Sequence, residues 1–166
     1  MTQRTFQSFL ELLIGDWAGH RRSTTLEQEP VRSQWQVALD GGFLHERWST
    51  AGGGALPELT AEAFFRVSDT GPCDFVAVYK NGKIAFGEST FDGSEWILTH
   101  RWLREPGVAT VRLRFRDADT YEQDVAEITP EGVLKHESSA ALQRERKHDE
   151  VTIGQPLVRT VTRSTP

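Results

Sequence analysis

Hydrophobic and polar positions change rhythm near residue 14. Before it, Phe6, Phe9, Leu10 and Leu13 recur at helical spacing, and Gly15 stands where a helix C-terminus favours a left-handed residue. This predicts a short amphipathic helix over residues 4–13. After it the chain alternates with a period of two. VRSQWQVAL puts Val31, Trp35, Val37 and Leu39 on one face, and Asp40-Gly41-Gly42 reads as a turn. FLHERWST, TAEAFFRV and CDFVAVYK follow as strands. Asn81-Gly82 is the strongest hairpin signal, read as a two-residue turn with positive φ at both positions. KIAFGEST, WILTHRWL, VATVRLRFR, YEQDVAEIT, VLKHESSAAL and a last strand, PLVRTVTR, complete the series.

About ten short strands separated by turn clusters indicate an all-β sandwich or barrel. Nearly all connections are short hairpin turns, which suits a meander closing on itself better than the crossovers of a Greek key. The expectation is an up-and-down antiparallel β-barrel, formed as a single domain over residues 1–166, with the N-terminal helix closing one end. The longer connections, Ala51–Leu59 and Arg144–Gln155, belong at the rim.

Composition narrows the class without naming a function. The chain has 166 residues, 37% hydrophobic and 26% charged, enough for one stable core. The N-terminal segment lacks the pattern of a secretory signal, and no run approaches transmembrane length, so no membrane association is expected. A single cysteine, Cys73, excludes an internal disulfide and suits a reducing compartment, so a cytoplasmic location is expected. A net charge of −5 argues against nucleic acid as a partner. Arg112, Arg114 and Arg116 line one face of a strand, and Glu122 and Asp124 on the next can oppose them. They read as a cross-strand charge ladder.

The junction LLIGDWAGH carries a resemblance. A short helix followed by Gly15-x-Trp17 at the start of the first strand resembles the calycin superfamily of lipocalin-like barrels. IGDWAGH with LDGGFLHERW is most similar to bacterial lipocalin-like proteins with a Gly-x-Trp-x-Gly start, and more distantly to nitrobindin-like haem barrels. The resemblance implies that Trp17 plugs the closed end and that an arginine of the last strand packs across its indole. Arg159 and Arg163 are the candidates, with Arg159 preferred. The haem-barrel likeness implies an axial histidine on a late strand. PLVRTVTR contains none, and His136 and His148 are the nearest options.

With Trp17 inward, hydrophobicity assigns further inward sets. These are Trp35, Val37 and Leu39; Ala61, Ala63 and Phe65; Trp96, Leu98, His100 and Trp102; Val111, Leu113 and Phe115; and Leu134, His136 and Ser138. His100 and His136 then sit among apolar neighbours, where each ring nitrogen needs a partner. Glu46 is buried if the Leu44–Trp48 face turns inward; otherwise Phe43 and His45 are. Glu88 shares the face of Leu98 and His100 if Asp92–Ser94 is a three-residue loop. With an Asp92-Gly93 turn, Ala85 and Gly87 oppose that face instead. Arg21 has the parity of Trp17 and meets either an anion, a carboxylate or water. Tyr79 and Tyr121 are further hydrogen-bond donors.

Three readings of function follow. The first is a binding module for a small hydrophobic or aromatic molecule, haem or a lipid-like metabolite among the options. In it Trp35, Trp96 and Trp102 form the wall, and His100, His136, Arg21, Glu46 and Glu88 orient the ligand. The second is a packed-interior structural or interaction protein, which could form a homodimer. The third is an isomerase, hydratase or cyclase using a buried His/Glu pair. No nucleophile or nucleotide motif supports it, no catalytic residue is assigned, and no local spacing points to a metal.

Overall fold

A computed structural model describes residues 5–23, 26–51, 59–67 and 73–145. The helix α1 spans Phe6–Leu13, and ten strands follow it. They are β1 (Gly15–Ser23), β2 (Leu26–Ala38), β3 (Phe43–Thr50), β4 (Thr60–Arg66) and β5 (Asp74–Tyr79). The rest are β6 (Ile84–Phe91), β7 (Glu95–Trp102), β8 (Val108–Phe115), β9 (Thr120–Ile128) and β10 (Leu134–Arg144). Each strand pairs antiparallel with its sequence neighbours, and β1 pairs with β10, so the sheet closes into a barrel. Closure removes every sheet edge that would otherwise present unpaired backbone groups. The all-β, up-and-down expectation therefore holds. Closure is achieved by β10; the expected strand PLVRTVTR, with Arg159 and Arg163, lies outside the described residues.

Helix α1 begins one residue after the first described residue, Thr5. Thr5 caps it, its Oγ1 accepting a hydrogen bond from the Ser8 amide at 3.2 Å. Its apolar stripe, Phe9, Leu10 and Leu13, is buried against one mouth of the barrel. Phe9 meets Phe115 edge-on at 5.0 Å between centroids, and Phe6 lies 5.4 Å from Phe91. Trp17 is fully buried beneath the helix, and its indole N–H donates to the Leu13 carbonyl at 2.7 Å.

Two turn assignments differ from the sequence reading. At Asn81-Gly82 only Gly82 has positive φ (82°), and the Tyr79 amide bonds the Lys83 carbonyl at 2.9 Å. The hairpin therefore has a three-residue loop, a tight turn followed by a left-handed glycine. That geometry matches strand twist as well as the two-residue form. At the end of β2, Leu39–Gly41 forms a 3-10 turn with Leu39 and Asp40 both at positive φ.

The barrel also has two corners. A Cβ on Gly19 of β1 would overlap the Ala141 carbonyl oxygen, and one on Gly87 of β6 would overlap that of Thr99. The two strands stand five apart in either direction around the ring. Glycine lets the backbone of β10 and of β7 approach there, which is how a closed sheet turns sharply.

Three residues expected inside are not. Val37 overhangs the closed rim on the extension of β2, Leu39 lies in the exposed turn, and Leu134 precedes a register shift before His136. All three are exposed. Outside, the arginine ladder forms as expected. Arg114 bonds Glu122 at 2.6 Å and pairs with Asp124 at 3.2 Å, while Arg116 also reaches Glu122. Among the described residues no helix is long and apolar enough to cross a membrane.

Candidate functional site

The interior divides into a packed half and an open half. Below, next to α1, Trp35, Phe65 and Trp96 contact one another at centroid distances of 5.0–5.9 Å and form a floor. Above the floor lies a cavity of about 230 Å³. The reason for the space is a register row. Glu46 of β3 faces Ala63 of β4, Ala63 faces Ala77 of β5, Ala77 faces Ala85 of β6, and Ala85 faces Trp102 of β7. Three adjacent alanines between a carboxylate and an indole leave the wall recessed. Ala61 and Ala109 add to it.

Glu46 faces inward, 9% exposed, with Ser33 Oγ donating to its Oε1 at 2.9 Å. Loss of hydration on burial pushes its pKa up to about 7 against that one stabilising bond. His45 is also buried, on the opposite face of β3. It stacks on Phe64 at 4.5 Å, and its Nδ1 lies 2.9 Å from the Gln36 amide.

His100 is 6% exposed and neither ring nitrogen has a partner among the described residues. It stands in a second register row, Gly87–His100–Ala109–Glu127–His136, running from β6 to β10. Burial lowers its pKa, and the charge of Glu127 opposes that. Glu127 accepts a 2.7 Å bond from Lys135, and His136 sits half-buried beside it at the mouth. Further buried atoms without a partner among the described residues belong to residues lining the same space: Trp48 Nε1, Trp102 Nε1, Gln123 Oε1 and Ser138 Oγ. Leaving such groups unpaired is costly, so each calls for a polar partner within the cavity.

Arg21 lines the mouth. Its Nη2 and Nε reach the buried Glu29 carboxylate at 2.5 and 3.1 Å, and its guanidinium lies 5.3 Å from the Trp48 ring centre. It thus meets a carboxylate that the sequence reading did not single out. Tyr79 packs on Trp102 at 5.1 Å, and burial together with Glu46 and Glu127 pushes its pKa up to about 12.

Of the sequence-predicted site, Arg21, Glu46, Trp102, His100 and His136 come together here. Trp35 and Trp96 belong to the floor. Glu88 stands exposed on the outer wall, because Phe91 pairs with Trp96 and so Gly87, not Glu88, opposes His100. Gln123, Glu127, Trp48 and Ser33 were missed. Tyr121, Gln123, Val125 and Glu127 share one parity, but polar residues occupy both faces of β9, which hides the inward set.

The closed-end arginine is found at the end of β10. Arg144 lies 4.2 Å over the Trp17 ring, and its Nη atoms donate to the Leu12 and Ile14 carbonyls at 2.6 and 2.8 Å. Arg159 lies outside the described residues.

Haem does not suit this cavity. A macrocycle larger than ordinary drug-sized ligands, which fill about 300–1,000 Å³, exceeds the roughly 230 Å³ present. His136 sits half-buried at the rim in register with Glu127, and His148 lies outside the described residues. Among the described residues no group of three or more His, Cys, Asp or Glu side chains is arranged to hold a metal.

No protein-family model and no curated relative matches the chain. Solved structures do. The crystal structure of Rv2717c from M. tuberculosis superposes with a TM-score of 0.66 at 16% identity, covering 87% of this chain and 100% of that one. The S-type phycobiliprotein lyase CPES from Guillardia theta gives 0.61 at 15%, covering 89% and 96%. At such identities the likeness is one of fold, not of substrate or chemistry. The chain shares the barrel fold of these two structures.

Proposed function

We propose that the barrel binds a small molecule with an apolar or aromatic body and a polar end, held in the cavity above the Trp35–Phe65–Trp96 floor. One observation carries this reading: His100, 6% exposed, presents two ring nitrogens without partners among the described residues to an aromatic-lined space. A purely structural core would satisfy or replace that imidazole. The volume suits a one- or two-ring ligand, since a cavity of about 150 Å³ already holds benzene. Phe65, Phe75 and Leu98 would grip the body, and Trp102, Ser138 and Gln123 would meet the polar atoms.

Native mass spectrometry of the freshly purified protein against its denatured mass tests this directly. A discrete added mass of a small organic molecule is expected, or, for a protein stripped of cargo, saturable quenching of tryptophan fluorescence by small aromatic compounds. A bare mass with no quenching by any of them would return the interior to a packing role.

Glu46 supports a second reading. A cavity carboxyl that titrates near neutrality can hold and release a proton, as an isomerase, hydratase or cyclase needs. It is separated from the first by whether the bound molecule leaves unchanged.

A further inference from the structure

The cavity has a sign as well as a shape. Glu46 lies on its wall with Ser33 as its one hydrogen-bond partner among the described residues, so Oε2 is left for a ligand. The groups facing it can be taken element by element. Arg21 of β1 is held by Glu29 of β2, a pair that cancels. Tyr79 of β5 and Tyr121 of β9 are neutral phenols, both pushed upward by burial and by Glu46 itself. His100 of β7 is held toward its neutral form. Glu127 of β9, beside His136 of β10, is paired with the exposed Lys135 at 2.7 Å. Apart from the Arg21–Glu29 and Lys135–Glu127 pairs, the charge that remains on the cavity wall among the described residues is that of the Glu46 carboxylate.

The walls agree with that sign. Trp48, Tyr79 and Trp102 surround Ala61, Ala77 and Ala85 at the mouth, since Trp48 faces Ala61, Ala61 faces Tyr79, and Ala85 faces Trp102. Aromatic faces carry negative potential and attract cations. Two cations of the protein already use them: Arg21 over Trp48 at 5.3 Å and Lys83 over Trp102 at 5.5 Å. The recess next to Glu46, made by Ala63 and Ala77, leaves space against the carboxylate itself.

We infer that the cavity selects a small organic cation, a protonated amine on an aromatic or apolar body, with the Glu46 carboxylate as its counter-ion. This rests on the binding function proposed above and adds the chemical class of the ligand. An anion would meet the Glu46 carboxylate, while among the described residues Arg21 and Lys135 are already paired with Glu29 and Glu127. A neutral acceptor would require Glu46 to stay protonated. A cation replaces the hydration that burial removed from the carboxylate, so binding it expels the Glu46 proton.

Three probes of one shape separate these cases: 2-phenylethylamine, 2-phenylethanol and 3-phenylpropanoate, titrated by calorimetry and tryptophan fluorescence. At pH 8 the amine should bind at least tenfold more tightly than the alcohol, and the propanoate most weakly. The amine stays protonated throughout, so its affinity should rise about tenfold from pH 6 to pH 8, following ionisation of a carboxyl near pH 7. Proton release should appear as a buffer-dependent heat near pH 7. Protonation of His100 at low pH acts in the same direction, and Glu46→Gln distinguishes the two. That variant should lose the amine's advantage over the alcohol while still binding the alcohol. The pH series on the unaltered protein keeps the test independent of how the variant folds. Equal or tighter binding of the alcohol or propanoate at pH 8, or an amine preference that survives Glu46→Gln, overturns the inference and leaves the binding function standing. Failure of all three probes to bind overturns both.

Discussion

Arg144 and Trp17 close the barrel together. The guanidinium lies 4.2 Å above the indole while its nitrogens bond the Leu12 and Ile14 carbonyls, so one side chain covers the plug and satisfies the end of α1. Gly15, at φ 137°, makes room: a Cβ there would come within 2.8 Å of Arg144 Nη1. The Gly-x-Trp spacing and the β10 arginine are thus parts of one device.

Arg144→Met should destabilise the protein by about 2–3 kcal/mol, since it removes two charge-assisted bonds and the cation–π contact. Arg144→Lys should recover part of that loss. Chemical denaturation at fixed pH measures both. A variant as stable as the parent would dissociate Arg144 from closure.

Stability should fall as pH rises through the range 4.5 to 7. Glu46 has its pKa raised from 4.5 to about 7 on folding, so between those values the folded state holds a proton that the unfolded state has lost. The slope of unfolding free energy with pH is then negative, and the integrated effect is about 3 kcal/mol. Comparing urea midpoints of the parent and Glu46→Gln across this range isolates the contribution, which the variant should lack.

His100→Phe should leave stability unchanged or raise it by about 1 kcal/mol, because two unpartnered nitrogens leave the interior. Ligand affinity should fall in the same variant. His136→Phe, at the solvent-facing mouth, should weaken binding less. Thermal melts and ligand titrations on both variants check this. Unchanged affinity in both would remove the histidines from the site.

Filling the recess should abolish binding while preserving the fold. Ala77→Leu places a branched side chain in the alanine row at a packing cost of about 1–3 kcal/mol. Circular dichroism should remain that of a β-barrel, and small aromatic compounds should cease to quench tryptophan emission.

The corners make a contrasting prediction. Gly87→Ala drives a methyl group into the Thr99 carbonyl, and Gly19→Ala into that of Ala141. Each should cost about 3 kcal/mol, far more than alanine at Gly82, where nothing lies within 4 Å but φ is 82°. Denaturation midpoints rank the three.

How much could be read from the chain alone follows from what sets each feature. The helix, ten strands and their meander are local: period 3.6 gives way to period 2 at Gly15, and turn residues punctuate every hairpin. Trp17 as a plug was legible only through the resemblance carried by the Gly-x-Trp at the junction of helix and strand. Inward facing was legible wherever a strand is apolar on one side only, as in β4, β7 and β8. It failed where both faces carry polar groups. In β9 that concealed Gln123 and Glu127, and in β6 a one-residue difference at the Asp92–Glu95 turn put Glu88 outside and Gly87 opposite His100.

Local pattern along the sequence thus determined the architecture, because backbone periodicity and turn chemistry act between near neighbours. Only the closed barrel decided the site. Glu46, Ala63 and Ala77 lie on three different strands and become one recess through register. Arg144 reaches Trp17 across more than a hundred residues because β10 closes on β1. A cavity is the space left when several strands each contribute a small residue at one level, and no single strand contains that information.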